Sequence, residues 1–170
     1  MTIAALLQVL SVLMVGLVAG LFYGYDSSVI GGLGKLGSRE YLMAFKEINR
    51  AILNPYFFVS FMGALVVLPL AVWMGKGKVP DVSFYLMIGA AVVYFVGVFG
   101  VTVIGNIPLN ESLDRLDLRS ASAESIESFR FKFEAVWSRY HHVRTWLSIL
   151  AFVLAIVSLM FSGPAPFRKS

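Results

Sequence analysis

The chain has 170 residues, of which 58% are hydrophobic and 14% are charged, and its formal net charge is +4. Typical globular domains carry about a quarter charged residues, so this composition indicates a membrane protein of one domain. The basic residues are dispersed in the flanks of apolar segments and do not form the basic patch that a nucleic-acid-binding site requires. Because there is no cysteine, disulfides, thiolate metal sites and cysteine nucleophiles are excluded.

Four apolar segments are each long enough to cross a bilayer, for which a helix needs about 17 to 25 residues. The predicted spans cover approximately residues 3–25, 55–75, 82–105 and 144–162. They predict an all-α fold, a four-helix transmembrane bundle that forms one domain over residues 1–170 and contacts membrane lipid. The first span carries no charge and exceeds the apolar region of a signal peptide, so we expect it to be retained.

Charge around the spans predicts how the bundle is oriented in a bacterial inner membrane. Both termini and the connection 75–81 share one side, and segments 26–55 and 106–144 share the other. The terminal side carries one acidic and four basic residues: Asp81, Lys76, Lys78, Arg168 and Lys169. A raw count of Lys and Arg would instead place the other side in the cytoplasm. Because the positive-inside rule is most reliable for short loops, we expect cytoplasmic termini.

The connection between the first and second spans is predicted to be helical. Apolar residues repeat at helical spacing over residues 39–53, after a candidate N-cap at Ser38. This pattern indicates an amphipathic helix that lies at the membrane interface or caps the bundle. Asn54 and Pro55 then end this helix and begin the second span.

The fourth span is predicted to continue a helix that extends out of the membrane. This helix begins near Ser122, and no residue that breaks helices follows before Ser162. At 1.5 Å per residue it is about 60 Å long, which exceeds the thickness of a bilayer. We therefore expect it to protrude on the side of the two long connections.

Gly16, Gly20 and Gly24 lie four residues apart on one face of the first span. Small residues at this spacing let a second helix approach closely. That second helix belongs either to the same bundle or to another copy of the chain in a homo-oligomer.

Trp137, His141 and Arg144 fall at i, i+4 and i+7, which places them on one stripe of the fourth helix. A neutral imidazole beside a cation can act as a base, and an arginine can hold a phenolate, enolate or carboxylate. The alternative is an ordinary interfacial anchor, in which Trp137 and Arg144 contact the lipid headgroups.

Other polar residues collect where the first and third spans emerge: Tyr25, Asp26, Asn49, Asn106 and Asn110. Polar residues at the mouth of a membrane bundle are functional candidates. We expect Asn106 on the wall of any pocket and Asn110 at its rim. With or without a pocket, we expect a structural role for both, in which Asn106 satisfies carbonyl groups at the helix end and Asn110 caps a short turn.

Metal or haem binding at His141 or His142 stays open. Adjacent histidines on a straight helix cannot both face one ion, so a metal site would need Asp26, Glu47 or Glu111 as well. No HExxH, HxH or ExxH spacing occurs in the chain.

Three stretches of the chain resemble the DUF1772 family, which includes the anthrone oxygenases of aromatic polyketide pathways. The first runs from "GLFYGYDSSVIGGL" through "YLMAFKEINRAILNPYFFVSFMG", the second is "GVTVIGNIPLNESL", and the third is "WSRYHHVRTWLSILAF". The resemblance implies a small four-helix integral membrane protein. For the characterised branch it implies oxygenation of an anthrone to an anthraquinone without an evident metal or flavin cofactor.

The family elements fall on positions that the residue patterns also single out. They are Asn49, Asn54 and Pro55; Asn106, Pro108 and Asn110; and Trp137, His141 and Arg144. The chain departs from the family at Asp26, where many bacterial members have Ser. It also departs at position 141, where Asn is more common in the family. A histidine that acts as a base there is therefore not a feature of the whole family.

Two hypotheses of function follow. The first is an oxygenase without a cofactor that acts on a flat, apolar phenolic or anthrone-type molecule. In this hypothesis His141 or Asp26 removes a proton and Arg144 stabilises the anion. The residues predicted to contact the substrate are Tyr25, Asn49, Asn106, Asn110 and Trp137. The second hypothesis is a membrane bundle that is not an enzyme and has a structural, partner-binding or small-molecule-binding role.

Overall fold

The computed structural model describes residues 2–162, which form helices and connecting turns without any strand. The elements in chain order are α1 (Ile3–Gly24), a π-helical turn (Tyr25–Val29), α2 (Ile30–Leu33), α3 (Ser38–Ala51) and α4 (Pro55–Gly75). They are followed by α5 (Asp81–Val92), two π-helical segments (Val93–Gly100 and Thr102–Asn106), α6 (Ile107–Arg115) and α7 (Ala123–Met160). Arg168 and Lys169, used above to predict orientation, lie outside the described residues.

Four continuous helices are long and apolar enough to cross a membrane: Ile3–Leu33, Pro55–Gly75, Asp81–Arg115 and Ala123–Met160. The predicted all-α, four-helix transmembrane architecture is therefore confirmed, and it fits an integral, multi-pass membrane protein. Apolar side chains inside the bundle, among them Val15, Leu68 and Tyr94, form one core cluster.

The predicted amphipathic helix is α3, and its apolar face caps the bundle. Tyr41, Leu42 and Phe45 are buried and pack in a second core cluster with Leu113 of α6 and Trp137 of α7. The prediction of Ser38 as the N-cap is wrong. The helix already includes Ser38, and the carbonyl of the preceding Gly37 accepts the N–H of Tyr41 at 2.8 Å.

Arg130 of α7 fastens the turn that precedes α3. Its guanidinium donates to the carbonyl groups of Leu36 at 2.7 Å and Gly34 at 3.0 Å, and it lies 4.3 Å from the ring centroid of Tyr41. Burial of the Tyr41 hydroxyl, with a further contribution from Glu134, raises the pKa of Tyr41. The position of α3 over the bundle is therefore fixed by a buried tyrosine and a cation that satisfies helix-end carbonyls.

Helix α7 is continuous over 38 residues, as the sequence predicts. Ser122 is its N-cap, and the Ser122 hydroxyl accepts the N–H of Ser125 at 3.2 Å. At 1.5 Å per residue the helix is about 57 Å long. Asn54 caps α4 in the same way, accepting the N–H of Phe57 at 3.1 Å, and Pro55 occupies the first turn of α4.

The glycine stripe of α1 divides into one packed and two open positions. A side chain at Gly16 would meet the Phe152 ring of α7 at 2.6 Å, so this glycine serves packing within the bundle. Gly20 and Gly24 have no neighbour within 4 Å of such a side chain. A homo-oligomer through Gly20 and Gly24 stays a prediction.

Candidate ligand cavity and its buried arginine

A cavity of about 500 Å³ opens where the bundle core meets the cap formed by α3. Its walls come from α1, α3, α4, α6, α7 and the π-helical parts of the first and third spanning helices. Aromatic side chains dominate the apolar part of the lining: Phe22, Phe57, Phe58, Phe61 and Phe99. A cavity of this size and lining suits a small, flat, apolar molecule.

The rim of the cavity is apolar and exposed. Six lining residues have side chains on the outer surface of the bundle: Leu21, Leu53, Phe58, Met62, Val103 and Ile107. Five of the six belong to helices that are apolar enough to span a membrane. An apolar ligand dissolved in lipid would therefore meet apolar side chains as it enters.

Arg144 is the charged group of the cavity wall, and it is only 8% exposed. Its Nε and Nη2 donate to Nδ1 of His141 at 3.1 and 3.0 Å, and its Nη1 donates to Oγ1 of Thr102 at 3.3 Å. None of the ion pairs formed among residues 2–162 includes Arg144. The guanidinium instead lies 4.2 Å from the ring centroid of Phe22 and 5.4 Å from that of Trp137.

His141 is fully buried and uses both ring nitrogens. Nε2 lies 3.2 Å from the carbonyl oxygen of Phe22, and Nδ1 accepts from Arg144. This pattern requires the neutral imidazole that carries its proton on Nε2. The His141 ring also stacks on Trp137 at 4.8 Å between centroids. In this arrangement His141 holds the guanidinium in place, and its Nδ1 lone pair is occupied.

The stripe predicted from i, i+4 and i+7 spacing faces the interior. Trp137 is 2% exposed, and Arg144 and His141 are buried beside it. An interfacial anchor would present its indole and guanidinium to the lipid headgroups. The anchor interpretation of Trp137 and Arg144 is therefore wrong.

Both asparagines of the Asn-x-x-x-Asn pair bond to Trp137. Asn110 Oδ1 accepts the indole N–H at 2.7 Å, and Asn106 Nδ2 donates to the Trp137 carbonyl oxygen at 3.3 Å. Asn110 lies inside α6, so the prediction that it caps a turn is wrong. Asn110 lines the cavity, whereas Asn106, which was expected on the wall, is fully buried and is not among the lining residues. The pair thus joins the third spanning helix to α7.

Tyr25, in the π-helical turn after α1, and Asn49 of α3 also line the cavity. The Tyr25 ring lies 5.3 Å from the His141 ring and 5.6 Å from the Trp137 ring, between centroids. Tyr25 Oη and Asn49 Nδ2 are buried, and neither has a hydrogen-bond partner among the described residues.

Asp26 is not brought to the cavity, although the sequence groups it with the other mouth residues. Its carboxylate lies 2.6 Å from Nδ1 of His142, whose side chain is half exposed. Asp26 follows Tyr25 in a π-helical turn, in which Ile30 N–H bonds to the Tyr25 carbonyl, five residues back. Adjacent residues of a helix point about 100° apart, so Asp26 faces away from the cavity wall to which Tyr25 belongs.

Thr102 is a site residue that the sequence patterns missed. Its hydroxyl donates to the Val98 carbonyl at 2.7 Å and accepts from Arg144. A lone polar residue in "GVTVIGN", within an apolar span, is the signal that could have identified it. Within residues 2–162, no three His, Asp or Glu side chains are grouped in a way that could hold a metal ion.

The comparisons with known proteins identify one family. The family model described as anthrone oxygenase matches residues 54–154, more than half of the chain. No curated protein and no solved structure matches the chain. The matched range includes Trp137, His141 and Arg144 and excludes Tyr25 and Asn49. The match covers α4, α5, α6 and most of α7, and the chain belongs to the anthrone oxygenase family.

Proposed function

We propose that this protein binds a flat, apolar phenolic or anthrone-type molecule as its anion and oxygenates it without a cofactor. The observation that carries the proposal is Arg144, a buried cation on the wall of an aromatic cavity without an acidic partner among residues 2–162. Membership of the anthrone oxygenase family supports the reaction class.

A buried charge without a counter-charge is costly, and an anionic ligand relieves that cost. A guanidinium has five N–H groups, and the three bonds to His141 and Thr102 use three of them. Two N–H groups are then available to a ligand oxygen. The Phe22 ring packs against the guanidinium, which lies 4.2 Å from the ring centroid, and shields that face from water. The attraction between the guanidinium and an anionic ligand oxygen is stronger in such a low-dielectric environment.

The proposed role of Arg144 is to favour the deprotonated substrate. A fixed cation beside the oxygen favours its anionic form, because an opposite charge stabilises the charged state. His141 and Thr102 position the guanidinium. Since Asp26 pairs with His142 and His141 Nδ1 is occupied, we assign the first proton to water at the mouth rather than to either side chain.

The proposed reaction balances with O2 as the oxidant. The anthranolate carbon transfers one electron to O2, and the two radicals then combine to form a C–O bond and a peroxide anion, which takes up one proton. The carbon that carries the hydroperoxide then loses its remaining proton, a C=O bond forms, and the O–O bond breaks. The released hydroxide and the proton together make water. One anthrone and one O2 give one anthraquinone and one water. The protein supplies charge stabilisation and a dry cavity.

Oxygen uptake tests the proposal. The purified full chain in detergent is expected to consume one O2 for each anthraquinone formed from anthrone, without hydrogen peroxide, because both oxygen atoms are accounted for above. An oxygen electrode and quinone absorbance give the two rates, and detergent without protein gives the background. An absorption spectrum and elemental analysis of the same sample test for haem and metal.

A rate equal to the background would contradict the oxygenase proposal. Anthrone binding without oxygen uptake would favour the alternative of a small-molecule binder. A Soret band, or a metal in stoichiometric amount whose removal stops the reaction, would contradict the absence of a cofactor.

We also propose that the termini face the cytoplasm of a bacterial cell and that the cavity opens on the opposite side. The short connection with Lys76 and Lys78 supports this orientation. Because the chain has no cysteine, the variants Lys78→Cys and Ser120→Cys each give one exposed thiol. We expect a membrane-impermeant maleimide to label Ser120→Cys in intact spheroplasts and Lys78→Cys only after lysis. The reverse pattern would contradict this orientation.

A further inference from the structure

Two residues that line the cavity each carry a buried polar atom that residues 2–162 do not satisfy. Tyr25 Oη and Asn49 Nδ2 have no hydrogen-bond partner among residues 2–162, and both residues line the cavity. Buried polar groups in proteins are nearly always hydrogen-bonded, so exceptions require an explanation. The other polar side chains here, Trp137, His141 and Thr102, all have protein partners.

We propose that Tyr25 and Asn49 determine ligand specificity by donating hydrogen bonds to a second, uncharged oxygen of the ligand. The proposal rests on the proposed function, in which Arg144 holds the first, anionic oxygen. The expected ligand is a planar aromatic molecule with one acidic oxygen and one carbonyl, ether or hydroxyl oxygen elsewhere on its rings.

The chemistry of the two groups matches an uncharged acceptor. An amide nitrogen only donates, and a phenolic hydroxyl donates readily, so the two groups together suit an oxygen with lone pairs. Tyr25 also presents its ring beside His141 and Trp137, where it can contact a flat ligand. A site built to hydrogen-bond a substrate oxygen rejects an analogue that lacks the oxygen, because the site's polar groups then stay unpaired.

The position of these residues in the chain separates this role from that of Arg144. Residues 54–154 match the family model and supply Arg144, His141 and Thr102. Tyr25 and Asn49 come from the segment before residue 54, which forms α1 and the cap α3. We infer that the matched segment supplies the charged anchor and that the preceding segment selects among ligands which share an acidic oxygen.

Binding of two matched naphthols to the full chain in detergent tests the inference. Under nitrogen, the change in naphthol fluorescence measures the Kd of 1-naphthol, which has one oxygen, and of 5-methoxy-1-naphthol, which has an added acceptor oxygen. Tyr25→Phe and Asn49→Leu are expected to weaken binding of the methoxy compound about three- to tenfold. Binding of 1-naphthol should change by less than about twofold, since it does not reach these groups.

Thermal stability supplies a second measurement that a structural role would not reproduce. Because the Tyr25 hydroxyl has no protein partner, Tyr25→Phe is expected to leave the Tm of the empty protein unchanged or raise it. Tyr23→Phe is the matched control, since Tyr23 is exposed and does not line the cavity. It should change neither Kd nor Tm.

The outcomes separate this inference from the proposed function. Equal weakening of both naphthols, no weakening of either, or a lower Tm for Tyr25→Phe would each overturn the role of Tyr25 and Asn49. If Arg144→Gln nevertheless binds both naphthols more weakly in those cases, the proposed role of Arg144 in binding the anionic oxygen is retained. If Arg144→Gln binds both naphthols as the native chain does, the proposed function fails independently.

Discussion

Replacing Arg144 with glutamine is expected to lower kcat/KM for anthrone oxidation by about 100-fold or more, the loss typical of removing one oxyanion-stabilising donor. Glutamine keeps a hydrogen-bonding side chain but removes the buried positive charge that favours the anionic substrate. Because that charge has no acidic partner among residues 2–162, its removal relieves a desolvation cost, and the variant should still fold. Oxygen uptake and a melting curve measure the two effects.

Two further variants sharpen this experiment. Arg139→Gln removes an exposed arginine from the same helix and should retain native activity. Arg144→Lys keeps the charge but loses the planar fork that bonds to His141 and Thr102 together, so we expect intermediate activity. Native activity in Arg144→Gln would refute the role of this residue. A loss in Arg139→Gln of the same size would show that the effect is not specific to the cavity.

Gly105→Ala is expected to destabilise the protein by about 3 kcal/mol, near the upper end of the usual range for overpacking. A methyl group at this position would overlap the Tyr140 ring of α7, with Cδ1 at 2.5 Å and Cδ2 at 2.8 Å. The glycine lets the π-helical segment Thr102–Asn106 approach α7 closely. That approach brings Thr102 to Arg144 and Asn106 to Trp137. Thermal melting in detergent measures the loss.

Gly20→Ala is the matched control for this substitution. A side chain at Gly20 meets no atom within 4 Å, so the Tm should stay the same or rise as helix propensity improves. The double variant Gly105→Ala with Tyr140→Ala should recover part of the stability, because it removes the ring that the methyl group meets. A Tm for Gly105→Ala equal to that of the native chain would contradict this close packing.

The fold follows from local patterns in the sequence. The four apolar segments, the start of α7 near Ser122 and the Asn54–Pro55 start of α4 each depend on neighbouring residues alone, and all three were confirmed. The stripe of Trp137, His141 and Arg144 was predictable for the same reason. Side chains four and three residues apart share a face of any regular α-helix, and α7 is regular throughout.

The composition of the site could be predicted only in part. Asn110, Trp137, His141 and Arg144 do meet at one cavity wall, whereas Asp26 lies outside it beside His142. Asp26 was grouped with these residues because it follows the first span, and position at the end of a helix does not give the direction of a side chain. The prediction that Asn110 caps a turn was wrong because its side chain bonds instead to the indole of Trp137, which lies 27 residues later in the chain.

The sequence by itself determined which segments span the membrane, where α7 begins and which residues share its buried face, because hydrophobicity and helical period are local properties. Only the tertiary structure decided that Arg144 of α7 meets Thr102 of another helix but no carboxylate among the described residues. It also decided that Tyr25 Oη and Asn49 Nδ2 are buried without partners there. These facts depend on distances of a few ångströms between helices, which require close packing at positions such as Gly105. No local pattern encodes those distances.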